Sequence, residues 1–332
     1  MFDLIAYSTL GVVVILFNLP VLLAILSSSV LRVRYAVLGA LLFPCFLTGV
    51  QCIGQALMRV SILVDDIQIE TIQETALFCL SKPIILCDQF TFTAVPIMLM
   101  ANSIDRLIAV TYPIMYFMHT LKCILVQILV AYAFILITLA ITFVWAITDD
   151  SGSSTVLCTK SDYLPSELHT FLVMIRVGTA MGSIVAMGVV LFKLKAHSIR
   201  VAELRHETQM SIFIKRQKSF TKAMLISCCF TFALFVIPSC VALYARIAML
   251  TRMDDVTMYT RFVTFFNSMN MVAIVVLRQD DIKQQLLKAV HYGPQFLQHA
   301  RQRKVQKNQH PPQAPNNNKA FSSSQLQTIS AR

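Results

Sequence analysis

Residues 122–149 read KCILVQILVAYAFILITLAITFVWAITD, and no charged side chain stands between Lys122 and Asp149. An α-helix rises about 1.5 Å per residue, so roughly 20 apolar residues in a row cross the roughly 30 Å hydrocarbon core of a bilayer. With no water in that core, a crossing segment must satisfy its backbone N–H and C=O groups internally, and a helix does so within one segment. The stretch therefore reads as a transmembrane helix.

Working outward, charges punctuate the rest of the chain in the same way. Apolar windows run from Asp3 to Arg32, Arg34 to Arg59, Lys82 to Asp105, Lys122 to Asp149, Glu167 to Lys193, Lys222 to Arg246 and Arg261 to Arg278. Each supplies roughly 17 to 25 helical residues, the last by borrowing from Asp255 onward. Inside them only Asp88 and Arg176 carry charge. The first window outruns a signal-peptide core and shows no obvious cleavage site, so it reads as the first span. The expected fold is an all-α membrane protein, a seven-transmembrane helix bundle. Composition agrees: 56% of residues are hydrophobic, 14% are charged, and the mean hydropathy is +0.67. A soluble core cannot absorb that much apolar surface.

The formal net charge of +11 does not point to nucleic acid, because the Lys and Arg lie between the apolar windows and in the tail. Arg32 and Arg34, Lys122, and the run Lys193, Lys195, Arg200, Arg205, Lys215, Arg216, Lys218 and Lys222 fall on one side of the bundle. The positive-inside rule makes that side cytoplasmic. The other side holds Asp65, Asp66, Glu70 and Glu74, then Asp149, Asp150, Asp162 and Glu167. The N-terminus is then expected outside and the tail inside. After the seventh window, Gln279–Val290 sets Ile282, Leu286, Leu287 and Val290 against Asp280, Lys283 and Lys288, the spacing of a short amphipathic helix on the inner membrane surface. Residues 1–290 thus make the membrane domain. Residues 291–332, rich in Gln, Asn, Pro and Ser, read as a disordered cytoplasmic tail whose Ser322, Ser323, Ser324, Thr328 and Ser330 can accept phosphate. No internal repeat of the transporter kind is visible.

Nine cysteines contain no C-x-x-C pair, and no His or Asp pair has metal-ligand spacing inside a window. Neither a metal, another cofactor nor an enzymatic role is therefore expected. Cys45, Cys52, Cys87, Cys123, Cys228, Cys229 and Cys240 lie in or beside apolar windows and read as packing residues, which sets Cys79 and Cys158 apart.

The end of the third window reads Ala101-Asn-Ser-Ile-Asp105-Arg106-Leu-Ile-Ala-Val-Thr-Tyr-Pro113-Ile-Met-Tyr116. The Asp-Arg pair, the Ala-Val that follows, the Pro and the closing Tyr resemble the Asp-Arg-Tyr signature and second inner loop of rhodopsin-like G-protein-coupled receptors. The phrase Ile-Asp-Arg-Leu-Ile-Ala-Val is particularly similar to the nematode serpentine chemoreceptors, class sx or a related class. The resemblance implies a plasma-membrane receptor for an extracellular small molecule or short peptide, transmitting to a heterotrimeric G-protein through Asp105, Arg106, Pro113 and Tyr116. It also implies an arrestin-like partner for the Ser-rich tail. A plain interfacial anchoring pair is the bland reading of Asp105–Arg106, and a transporter or channel the rival function.

Asn18 fits the family's first-span Asn, and Phe232 with Pro238 fits the frame of the sixth span, where Pro238 removes a backbone hydrogen bond and supplies a hinge. Departures accompany these matches. Cys45 or Pro44 stands where the family has a sodium-binding Asp, Val236 replaces a Trp, and Lys218 replaces an acid. Asn267-Ser-Met-Asn270 lacks the Pro and Tyr of the seventh-span motif. A sodium pocket is not expected.

The resemblance further implies a disulfide from the top of the third span to the second outer loop. Cys79 and Cys158 both fall in outer, oxidising territory, with Cys87 the alternative partner of Cys158. Asp88 lies 18 residues before Arg106. That is five helical turns, so the two share a face about 27 Å apart. Amine receptors of the family place a ligand-pairing acid there. Asp88 then either meets ligand or pairs with Arg176, and Gln89, Phe92, Trp145, Tyr244, Tyr259 and Phe265 are candidates to complete a pocket.

Overall fold

The described residues of each apolar window are predominantly helical in the computed structural model, which describes residues 2–64, 74–148, 153–154, 158, 164–203, 226, 229–248, 253–278 and 282–287. The elements are α1 (Phe2–Ser27), α2 (Ser29–Arg34), α3 (Ala36–Val64), β1 (Glu74–Thr75), α4 (Ala76–Ser81), α5 (Pro83–Thr111), α6 (Pro113–Thr148), β2 (Ser153–Ser154), α7 (Ser166–Glu203), a π-helical turn (Phe232–Val236), α8 (Ile237–Ile247) and α9 (Met253–Arg278). Five helices are long and apolar enough to cross a bilayer, over Leu4–Ser27, Ala36–Ser61, Pro83–Thr111, Met118–Thr148 and Ser166–Ala196. The sixth window holds the shorter apolar helix Cys229–Ala245, and the seventh holds α9. The chain is thus a largely helical, multi-pass membrane protein.

Outward faces support that environment. Leu129, Val130, Leu136 and Ile137 on α6 are exposed, as are Phe192 and Val185 on α7. Only 22% of the α6 crossing window is buried inside the protein, against 61% for α3 and α5. Rows of exposed Leu, Val and Ile on a helix that long need lipid around them.

Met1–Leu286 form one compact unit; of a second, Leu287–Arg332, only Leu287 is described. Within the first unit α5 is central, touching α3, α6 and α7, while α9 packs against both α1 and α8. The main core gathers Ile25 from α1, Leu38, Leu41 and Leu42 from α3, Ala94 and Met98 from α5, Ile135 from α6 and Val272 from α9. Gly11 and Gly49 let α1 and α3 cross closely. A Cβ on either glycine would lie 2.9 Å from the other's carbonyl oxygen. Small residues at such crossings allow the backbone contact that drives helix association where the hydrophobic effect is absent.

Residues 282–287 are helical, and Ile282 is fully buried in the main core with Leu286 packed against it. The remainder of the amphipathic segment, 279–281 and 288–290, lies outside the described residues, as does the Ser-rich tail.

Cys79 and Cys158 are joined by a disulfide with their Cα atoms 5.5 Å apart, and Cys87 is a free thiol. Beside it β1 and β2 pair antiparallel, Glu74 opposite Ser154 and Thr75 opposite Ser153. Thr75 caps α4 by accepting the Phe78 N–H. A second core of Cys79, Leu80, Ile85, Cys158, Leu164, Leu168 and Leu172 lies at this end, with Phe92 and Phe143 packed against it.

Candidate functional site

A cavity opens between the helices, lined by Thr48 and Gln51 of α3, Asp88, Thr91, Phe92 and Val95 of α5, Arg176 of α7, Phe235 of the π-turn, and Thr264, Phe265 and Ser268 of α9. The α5 contributors stand at i, i+3, i+4 and i+7, so one face of one helix supplies them all. About 440 Å³ is free of atoms, part of it open to the outside.

Its polar side centres on Asp88, a buried acid in an apolar span. The Gln51 amide Nε2–H donates to Asp88 Oδ1, and the Thr91 hydroxyl sits 3.4 Å from Gln51 Oε1 and 3.2 Å from the Asp88 carbonyl. This arrangement orients the Gln51 amide: nitrogen toward the carboxylate, oxygen toward the hydroxyl. A donor to a carboxylate is a charge-assisted bond, about twice the strength of a neutral one.

Its aromatic side centres on Arg176. The guanidinium carbon lies 4.5 Å from the Phe92 ring centre and 4.2 Å from that of Phe235. Cation–π contacts of this kind contribute about 0.5 to 2 kcal/mol each, more as water is excluded. Phe92 also stands 6.2 Å from the His169 ring, which ties the cavity wall to the disulfide end of α7.

The remaining sequence candidates are distributed unevenly. Phe265 lines the cavity with Asp88, Phe92 and Arg176. Gln89 is buried but turns to α6, its Nε2 3.5 Å from the Thr142 hydroxyl. Tyr244, Tyr259 and Trp145 are exposed, at 70%, 58% and 42%, and line no part of the cavity. Thr48, Gln51, Thr91, Val95, Phe235, Thr264 and Ser268 belong to the wall without having been singled out in the sequence. For Thr48, Gln51, Thr91, Thr264 and Ser268 the signal was a polar residue inside an apolar window, which is costly there unless it faces the bundle interior; Val95 and Phe235 carry no such signal.

At the far end of α5, Asp105 is 1% exposed and its Oδ2 lies 3.3 Å from Arg106 Nη2. The Tyr116 hydroxyl donates to Asp105 Oδ1 at 2.8 Å. The chain makes this meeting possible by turning at Tyr112, whose N–H bonds Ile108 O, and by starting α6 at Pro113, where a missing N–H costs nothing. Burial, and then the neighbouring Asp105 charge, push the Tyr116 hydroxyl well above the ordinary tyrosine range, so it stays a proton donor. Pro113 itself is exposed. Ser103 and Ser183 bond across 2.7 Å, and Lys193 Nζ donates to the Thr111 hydroxyl at 3.1 Å, fastening α7 alongside this end.

Pro238 sits in the first turn of α8, directly after the π-turn, where the Ile237 N–H reaches Phe232 O. Single π-turns recur at functional sites in helices. Here one coincides with the position expected to hinge. The Thr231 hydroxyl donates to Asn267 Oδ1 at 2.9 Å, linking this segment to α9.

Among the described residues no three His, Cys, Asp or Glu side chains gather where they could share a metal ion. No family model matches the chain, and no curated protein does.

Proposed function

We propose that the chain is a rhodopsin-like, seven-span receptor of the plasma membrane that binds an extracellular small molecule or short peptide in the α3–α5–α7–α9 cavity and activates a heterotrimeric G-protein. In this reading the helix Cys229–Ala245 and α9 are the sixth and seventh spans, and the N-terminus is outside, as the loop charges suggest. The observation that carries it is a property of α5: one helix presents the cavity acid Asp88 near one end and, at the other, the Asp105–Arg106 pair that Tyr116 of α6 reaches back to. A ligand acts on such a bundle by binding two packings unequally. The π-turn and Pro238 supply the flexible element, and release of Arg106 from Asp105 supplies the surface a G-protein reads. The Ser-rich tail would recruit an arrestin-like protein once phosphorylated.

Nucleotide exchange on purified G-proteins by the full chain in lipid nanodiscs tests this directly. Exchange above the protein-free rate, abolished by Arg106→Ala with the fold retained, is the expected result. Solute or ion flux in proteoliposomes without exchange on any G-protein class would replace the receptor with a transporter or channel.

A further inference from the structure

We infer that the cavity takes a small organic carboxylate, its anionic end on Arg176 and a hydroxyl-bearing end toward Asp88; this rests on the receptor-pocket reading above. The Arg176 guanidinium carbon lies 4.5 Å from the Phe92 ring centre and 4.2 Å from that of Phe235. A guanidinium carries its N–H donors in its own plane, in a fixed fork. That fork matches two coplanar oxygens, which is the geometry of a carboxylate. The charge is permanent, since a guanidinium does not lose its proton in a protein. A carboxylate arriving in the cavity competes for those donors whatever they hold beforehand.

The polar lining sets the rest of the ligand. Thr48, Gln51, Thr91, Thr264 and Ser268 line the cavity with Asp88 and bring hydroxyl and amide groups to it, Gln51 and Thr91 in direct contact with the acid residue. They can give and take hydrogen bonds with alcohol groups, while the Asp88 charge repels an anion from that end. Orientation follows: carboxylate toward α7 and the π-turn, hydroxyls toward α3 and α9. A simple cation is disfavoured because Asp88 already accepts the Gln51 amide and Arg176 lines the same small space. Phe235 belongs to the π-turn before Pro238 and is buried, so a carboxylate that draws Arg176 off that ring acts directly on the hinge.

The test uses the full chain in nanodiscs and thermal unfolding, because a ligand that binds only the folded state raises Tm with concentration. Three series serve as probes: lactate, 3-hydroxybutyrate and 4-hydroxyphenylacetate; their methyl esters; and the amines of matching skeleton. Saturable stabilisation by at least one acid and not by its ester is expected. Arg176→Gln and the fork-less Arg176→Lys should each weaken it about tenfold or more, near 1.4 kcal/mol per tenfold. Stabilisation by esters or amines that survives Arg176→Lys and is lost in Asp88→Asn would overturn the carboxylate assignment while leaving the pocket intact. No stabilisation by any series would overturn it too; if Thr264→Trp, which fills the cavity, then leaves nucleotide exchange unchanged, the pocket reading falls with it. Should Arg176→Gln not fold, Arg176→Lys carries the comparison.

Discussion

Gln51 of α3 donates an amide N–H hydrogen bond to the Asp88 carboxylate of α5, so the acid in the third apolar window is held by a neutral side chain from the neighbouring helix. Burying an acid inside a span is expensive, and a donor in place lowers that cost. Removing the donor restores it. Gln51→Leu is expected to destabilise the protein by about 1.5 to 3 kcal/mol, the contribution of a hydrogen bond to a charged group. Asp88→Asn in the Gln51→Leu background should recover part of the loss, because an uncharged amide costs less to bury than a carboxylate. Thermal unfolding of the two variants decides the point; equal stability of Gln51→Leu and wild type would show that the contact contributes nothing.

The hydroxyl of Tyr116 carries a pH dependence. Its folded-state pKa lies above that of an unfolded tyrosine, about 10. The folded protein therefore keeps this proton where the unfolded chain loses it. Stability from this group is complete below about pH 10 and declines as pH rises further. Tyr116→Phe should remove that part of the alkaline slope and cost about 1 kcal/mol near neutrality through the lost donor to Asp105. A steeper alkaline decline in the variant would contradict the assignment.

For the Cys79–Cys158 bond, the loop it closes spans 79 residues in sequence. A cross-link of that length is worth roughly 4 kcal/mol through restriction of the unfolded chain. Cys79→Ser, Cys158→Ser and the double variant should lose the same stability, because each removes one and the same bond. Cys87→Ser should retain the bond. Peptide mapping under non-reducing conditions checks the pairing, and finding Cys158 alkylated in folded protein would refute it.

Where α1 crosses α3, Gly11→Ala brings a Cβ to 2.8 Å from Ile53 Cγ1 and 2.9 Å from the Gly49 oxygen. Backbone atoms cannot step aside as a side-chain tip can, so the helices must separate. Losses of about 1 to 3 kcal/mol are expected for Gly11→Ala and Gly49→Ala. Gly178→Ala meets nothing within 4 Å and should be neutral or slightly stabilising, since Ala favours a helix by about 1 kcal/mol over Gly. A loss at Gly178 equal to that at Gly11 would mean that helix flexibility, not close packing, governs these sites.

Local hydropathy and the placement of charges made the helices legible in the sequence, because the need to satisfy backbone groups in lipid acts on each segment separately. Asp88 and Phe92 were legible as wall residues for a related reason: positions i and i+4 share a face of any helix. Gln89, offered as a pocket candidate beside them, lies off that face because one residue is a rotation of about 100°, which carries its amide round to Thr142 of α6. Tyr244 and Tyr259 looked like pocket aromatics, yet their helices turn them outward. The pairing of Gln51 with Asp88, the stacking of Arg176 on Phe92 and Phe235, and the reach of Tyr116 back to Asp105 were decided only by tertiary structure. Each depends on how neighbouring helices rotate about their axes and where they cross. Close crossings such as Gly11 on Gly49 set those rotations, and they join residues far apart in the chain.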